Sequence, residues 1–278
     1  EGAPVAVECP TYSAALQALD LRRPKLLAVP RTAAGLDLDA LDAAFAAGAR
    51  VLYLTASGHN PTGGVLDPKV LASVTERAVR AGAFIIDDDA YGEIQYGARV
   101  PPLRAQGQHL DRIVHLGSFS KVLAPGLRLG YVVAPPALFP KLLQAKQAAD
   151  LHSPGFNQRV VHEVIRDGFL REHVPTIRAR YKAQRDAMRA ALETHMPAGC
   201  HWNVPVGGMF FWVELPEGVD ATAMLPKAVE RGMAYVPGAA FFADHAKANT
   251  LRLSFVTVSP AQIEQGVAML AQAIKEFA

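Results

Sequence analysis

Phe84-Ile85-Ile86-Asp87-Asp88-Asp89-Ala90-Tyr91 is the stretch from which the fold is read. A short apolar run reads as a buried strand, and this one runs straight into three carboxylates. Open α/β sheets bind their ligands at the carboxyl ends of the strands, so the aspartates are expected at a site rather than in a solvated loop. Working outward, short apolar runs alternate with amphipathic segments, the pattern of a mostly parallel sheet covered by helices. Strands are expected at Pro4–Glu8, Val51–Thr55, Phe84–Asp87, Ile113–Ser118 and Leu129–Val133, with helices at Leu38–Ala46, Pro68–Ala81 and Pro136–Asp150. The amphipathic run Glu172–His195 is expected to be a bridging helix. Turn formers at Pro197-Ala198-Gly199 then open a smaller α+β domain, with strands at Met209–Glu214 and Leu251–Phe255 and helices at Ala221–Arg231 and Pro260–Phe277. The expected division is a large domain at 1–171, a bridge at 172–196 and a small domain at 197–278.

Composition narrows the class. The chain has 278 residues, half of them hydrophobic, and a formal net charge of +2, enough to bury a sizeable core. It contains no apolar run long enough for a membrane span and no signal peptide pattern. Its slight basic balance lends no support to nucleic-acid binding by this segment. Cys9 and Cys200 form no metal or redox motif and read as free thiols in a reducing cytoplasm. The nine histidines show no metal-ligand spacing; His162-Glu163 lacks the second histidine of a His-Glu-x-x-His pair. His59, beside Asn60, and His152 are further candidates for lining a pocket.

Three short motifs carry chemistry: Asn60-Pro61-Thr62-Gly63, Asp88-Asp89-Ala90-Tyr91, and Ser118-Phe119-Ser120-Lys121 with Arg128 seven residues on. Singly they are weak. Asn-Pro-Thr-Gly is a turn composition. Ser-x-x-Lys also fits penicillin-binding enzymes, but the Ser-Asp-Asn and Lys-Thr-Gly segments these need downstream are absent. In this order, the set matches the needs of pyridoxal 5'-phosphate: an amine for a Schiff base, a carboxylate for the pyridine nitrogen, donors for the phenolic oxygen, and hydroxyls with a cation for the phosphate.

From Glu8-Cys9-Pro10-Thr11-Tyr12 through Gly207-Gly208-Met209-Phe210 and Val236-Pro237-Gly238 to Leu251-Arg252-Leu253-Ser254-Phe255, the chain resembles class I/II aminotransferases of fold type I, in the branch of the 2-aminoadipate and kynurenine aminotransferases. The resemblance implies Lys121 as the Schiff-base lysine and Asp88 as the partner of the pyridine nitrogen. The Asp-x-x-Tyr spacing selects Asp88 over Asp89. It further implies Asn60 and Tyr91 as donors to the phenolic oxygen, and Ser118, Ser120 and Arg128 as phosphate ligands. Tyr12 is implied as the ring stacked on the cofactor, and Arg252 as the fork that grips the substrate's α-carboxylate. A homodimer, 2-oxoglutarate as amino acceptor, and 2-aminoadipate, aromatic or large aliphatic amino acids as donors are implied in the same way.

The resemblance departs at the N-terminus, where such proteins carry roughly a hundred more residues, a sizeable part of a typical domain. These include a glycine-rich turn that completes the phosphate cup at a helix N-terminus. The first strand and helix of the sheet are therefore expected to be missing from this segment. The same departure leaves a rival from another class: the pyridoxal-phosphate-binding effector domain of a winged-helix transcription regulator. Intact Asn60, Tyr91, Arg252 and Gly-Gly-Met-Phe argue for catalysis.

Overall fold

A computed structural model describes residues 1–32 and 34–277. A seven-stranded sheet has the order β3-β2-β1-β4-β5-β6-β7. Its strands are β1 (Pro4–Cys9), β2 (Lys25–Thr32), β3 (Gly35–Leu36), β4 (Val51–Leu54), β5 (Phe84–Asp88), β6 (Ile113–Ser118) and β7 (Gly130–Val133). The five central strands run parallel, and β3 and β7 close the two edges antiparallel. This is the α/β architecture expected, with a mostly parallel sheet.

The helices α2 (Leu38–Ala46) and α3 (Pro68–Arg80) cover one face. Each begins where a cap is available. The Asp37 carboxylate accepts from the Asp39 and Ala40 amides at 3.1 and 2.9 Å, and that of Asp67 from the Lys69 amide at 2.7 Å, satisfying amides that a helix start leaves unpaired. Pro68 fits the first helical position, where no N–H is needed. Leu41, Phe45, Leu71 and Val74 then pack on Ala6, Leu52, Leu54 and Ile85 from the sheet. Alternation along the strands sends the neighbours of those residues, Val7, Tyr53, Ile86 and Asp88, to the opposite face. The site lies on that face.

Helix α6 (Phe169–His195), 27 residues and about 40 Å long, leads to a four-stranded antiparallel sheet of order β10-β11-β9-β8. These strands are β8 (His201–Trp202), β9 (Phe210–Glu214), β10 (Val236–Pro237) and β11 (Thr250–Ser254). They form a second core with α6, α7 (Ala221–Glu230) and α8 (Pro260–Phe277), centred on Phe211 and Phe255, whose rings meet edge to face at 5.8 Å. Phe211 is fully buried, and Phe211→Ala is expected to cost about 3–5 kcal/mol through lost transfer energy and an unfilled cavity. Denaturant titration of the variant would show this as a lowered midpoint; a loss below about 1 kcal/mol would contradict the packing.

Several elements differ from the sequence expectation. The helices α1 (Ser13–Asp20) and α5 (Gly155–Ile165) and strands β2, β3, β8 and β10 are additional, α4 starts at Phe139 (Phe139–Asp150), and α6 starts at Phe169 with Pro175 inside it. Among the described residues, no helix is long and apolar enough to cross a membrane.

Candidate active site

The carboxyl ends of β1, β4, β5 and β6 converge on one cavity of about 240 Å³. Tyr12, Asn60, Asp88, Tyr91, Ser118, Ser120, Lys121 and Arg128 line it, together with Thr55 and Ala90. A larger cleft of about 490 Å³ lies beside α8 in the second core; Arg252 lines it along with methionine, aliphatic and uncharged polar side chains, and among the described residues it holds no carboxylate or lysine. Convergent polar chemistry, rather than volume, identifies the functional candidate.

Local folding brings these residues to the cavity. β6 ends at Ser118, whose hydroxyl accepts from the Ser120 amide at 3.1 Å. The chain then turns, with the Leu123 amide bonded to the Phe119 carbonyl at 2.9 Å. It returns as β7, pairing Ser118 with Gly130. This reversal sets Lys121 and Arg128 at one end of the sheet. Arg128 makes the turn at φ 54°, a left-handed conformation that a non-glycine residue holds at a cost of about 1–3 kcal/mol and that clusters at functional positions. On the other side, Gly58 at φ 61° lies so close to Tyr91 that a Cβ would come within 2.6 Å of the tyrosine's own. Only glycine lets the Asn60 turn sit against the Asp-x-x-Tyr turn.

Arg252 reaches this group from β11 of the second sheet. Its Nη1 donates to Asn60 Oδ1 at 2.8 Å. That bond orients the amide so that the Asn60 NH2 faces elsewhere as a free donor. The guanidinium lies 4.0 Å from the Phe210 ring centroid and 5.1 Å from that of Phe241, an aromatic sandwich that holds the fork without quenching its charge. Its Nε is buried with no hydrogen-bond partner among the described residues. Tyr12 precedes α1, and the adjacent Thr11 amide donates to the Phe241 carbonyl at 2.8 Å, tying that loop to the second core.

Electrostatics distinguish the groups. Burial, reinforced by the Arg128 and Arg252 charges, holds the Lys121 amine below the ordinary lysine range. Burial pushes the Asp88 carboxyl up, while a hydrogen bond from Tyr53 opposes it. Burial also raises the Tyr91 hydroxyl against the pull of Arg252, so it stays a donor. The depressed lysine has a direct test on cofactor-free protein. The pH midpoint for acetylation of Lys121 should fall below the roughly 10.4 of a free lysine, because the neutral, reactive amine becomes populated at lower pH. A midpoint at or above that value would contradict the burial argument.

The two extra histidine candidates lie elsewhere. His59 is fully buried beneath the Asn60 turn and outside the cavity lining. Its Nδ1 pairs with Thr62 Oγ1 at 2.8 Å, and burial keeps the ring neutral. His152 lies in a separate groove between β7 and α5. Sequence reading also missed a frame beneath the site. Buried Glu8 bonds Arg31 and accepts from the Thr55 amide at 2.6 Å, and Arg31 reaches the Thr55 carbonyl at 3.2 Å. Burial pushes the Glu8 carboxyl up to about 7. This frame ties together the ends of β1, β2 and β4.

The donor set suits pyridoxal phosphate: an amine of lowered pKa, a half-buried carboxylate, an amide donor, a phenol held protonated, and two hydroxyls beside an arginine. The family model described as aminotransferase class I and II matches residues 1–270. The chain is 42% identical to the 2-aminoadipate transaminase of Thermus thermophilus over 99% of its own length and 70% of the relative's. It is 40% identical to aromatic-amino-acid aminotransferase 1 of Thermococcus litoralis, over 98% of this chain and 67% of that one. The crystal structure of α-aminoadipate aminotransferase from Thermus thermophilus, complexed with N-(5'-phosphopyridoxyl)-L-leucine, superimposes with a TM-score of 0.95 at 41% identity, covering 100% of this chain and 72% of that one.

Proposed function

We propose a specific reaction and a set of residue roles for this chain, which belongs to the aminotransferase class I and II family and is a pyridoxal-phosphate-dependent aminotransferase. In this reading it moves the amino group of 2-aminoadipate, an aromatic or a large aliphatic amino acid to a 2-keto acid, with 2-oxoglutarate as acceptor. The names of the relatives support the donor class. The carrying observation is the meeting of Lys121, Asp88, Asn60 and Arg128 around one cavity, with Arg252 bonded to Asn60.

When bound, the cofactor supplies an aldehyde for the amine and a ring that withdraws electrons. The chain's own residues do the rest. Asp88 would keep a proton on the ring nitrogen, since a half-buried carboxylate beside it favours the charged form. Asn60 and Tyr91 would donate to the phenolic oxygen, Ser118, Ser120 and Arg128 would hold the phosphate, and Tyr12 would pack against the cofactor. Arg252 would bind the substrate α-carboxylate with its planar fork, held in place by its bond to Asn60. Lys121, once free, would be an amine of depressed pKa placed to take the proton from the substrate Cα and return it as an acid. A depressed pKa suits both halves of that task.

We assign residues 1–171 to the large cofactor-binding domain, 172–196 to the bridge and 197–278 to the small domain that brings Arg252 to the site. A homodimer and a cytoplasmic setting, consistent with the free thiols of Cys9 and Cys200, complete the reading. The regulator alternative is not favoured, since the relatives matched across nearly the whole chain are enzymes. A donor panel run with 2-oxoglutarate tests the substrate class. kcat/KM should be highest among 2-aminoadipate, aromatic and large aliphatic donors. Preference for a small or basic donor would overturn it.

A further inference from the structure

Asp88 does not stand alone in the fold. β4 and β5 run parallel with Tyr53 opposite Ile86, so Tyr53, Ile86 and Asp88 share the face of the sheet that carries the cavity. The Tyr53 ring is buried and outside the cavity lining. Its hydroxyl lies within reach of the carboxylate two residues beyond Ile86 and donates to Asp88 Oδ2. We propose that Tyr53 is a positioning residue for the aminotransferase reaction: its hydroxyl fixes the Asp88 carboxylate and leaves Oδ1 as the oxygen that meets the cofactor's ring nitrogen. The inference rests on the role given to Asp88 above.

The surroundings explain why such a donor is needed. Burial pushes the Asp88 carboxyl towards its neutral form, and the neighbouring Asp87 adds to that push. A neutral Asp88 could not hold a proton on the ring nitrogen by charge. The Tyr53 hydroxyl, the Ala90 amide and the His115 ring act in the opposite sense. His115 sits on the far face of the sheet, 3.5 Å from Asp87, so Tyr53 is the side chain that bonds Asp88 on the cavity's own face. Burial together with Asp88 and Glu8 keeps the Tyr53 hydroxyl protonated. It therefore keeps its proton for the bond to Asp88, and that bond fixes Oδ2.

A double-mutant cycle tests this on the intact protein loaded with pyridoxal phosphate. Tyr53→Phe keeps the buried ring and removes one oxygen. The dissociation constant for the cofactor and the position of its visible absorption band are measured for wild type, Tyr53→Phe, Asp88→Asn and the double variant. Tyr53→Phe should raise the dissociation constant about tenfold, the scale of a hydrogen bond to a charged group, and move the band. In the Asp88→Asn background the same change should alter neither quantity, because residues that act through one another are not additive. Equal effects in both backgrounds would make Tyr53 merely structural and overturn the proposal. So would an unaltered Tyr53→Phe protein beside an impaired Asp88→Asn protein, which would leave the role of Asp88 intact. If Asp88→Asn itself binds and absorbs like wild type, the assignment of Asp88 fails and the inference falls with it.

Discussion

Lys121→Ala should abolish turnover, with kcat reduced by about 10⁴-fold or more, since the variant lacks both the covalent partner of the cofactor and the group that moves the Cα proton. The lysine is half-buried, at the turn between β6 and β7, and among the described residues no ion pair holds it in place. Its loss should therefore leave the fold intact. Ser118, Ser120 and Arg128 remain, so the variant should still bind pyridoxal phosphate reversibly, and dialysis should remove it. Borohydride reduction followed by peptide mass analysis separates the states: wild type carries the cofactor mass on Lys121, and the variant carries none. Turnover within tenfold of wild type would remove Lys121 from the mechanism.

Arg252→Ala should lower kcat/KM for amino-acid donors by about 10²–10³-fold, the cost of leaving a substrate carboxylate without its charged partner at a desolvated position. Most of the loss should fall on KM. The position is built for one side chain: two aromatic rings flank the guanidinium, Asn60 takes one N–H, and Nε is left over. Arg252→Lys keeps the charge but not the planar fork, and should recover only part of the loss. Cofactor affinity should change little beyond the effect of freeing Asn60. An unchanged KM in Arg252→Ala would place the carboxylate clamp elsewhere.

The parts of this site that could be read from sequence are those written in contiguous motifs. Asp88 follows an apolar run, and Lys121 closes Ser-Phe-Ser-Lys, so each shows its strand end or turn directly. Arg252 became legible only through resemblance, because nothing near Leu251–Phe255 announces that β11 faces Asn60, 192 residues away. Tyr53 and the Glu8–Arg31–Thr55 frame were not legible at all. Their contacts depend on which strands become neighbours, and β1 lies between β2 and β4 in the sheet. A local pattern does not carry that order. Among the elements, β2 was hidden by Pro30, a residue that argues against a strand. The two-residue strands β3, β8 and β10 are too short to show a period of two. Pro175 lies inside both the expected and the observed α6, and what was missed is the opening Phe169–Arg171 ahead of it. His59 was only a candidate by adjacency to Asn60, and the turn directs its ring into the interior.

The central claim is that this chain moves an amino group and that Lys121 carries the step. The most direct measurement is to incubate the protein, loaded with pyridoxal phosphate, with ¹⁵N-labelled 2-aminoadipate, phenylalanine or leucine and unlabelled 2-oxoglutarate, and to follow the glutamate formed by mass spectrometry. The account predicts ¹⁵N in glutamate with at least one donor, an equal amount of the donor's keto acid, and neither product with Lys121→Ala. Retained cofactor with no labelled glutamate from any donor, or equal labelling by Lys121→Ala, would contradict it.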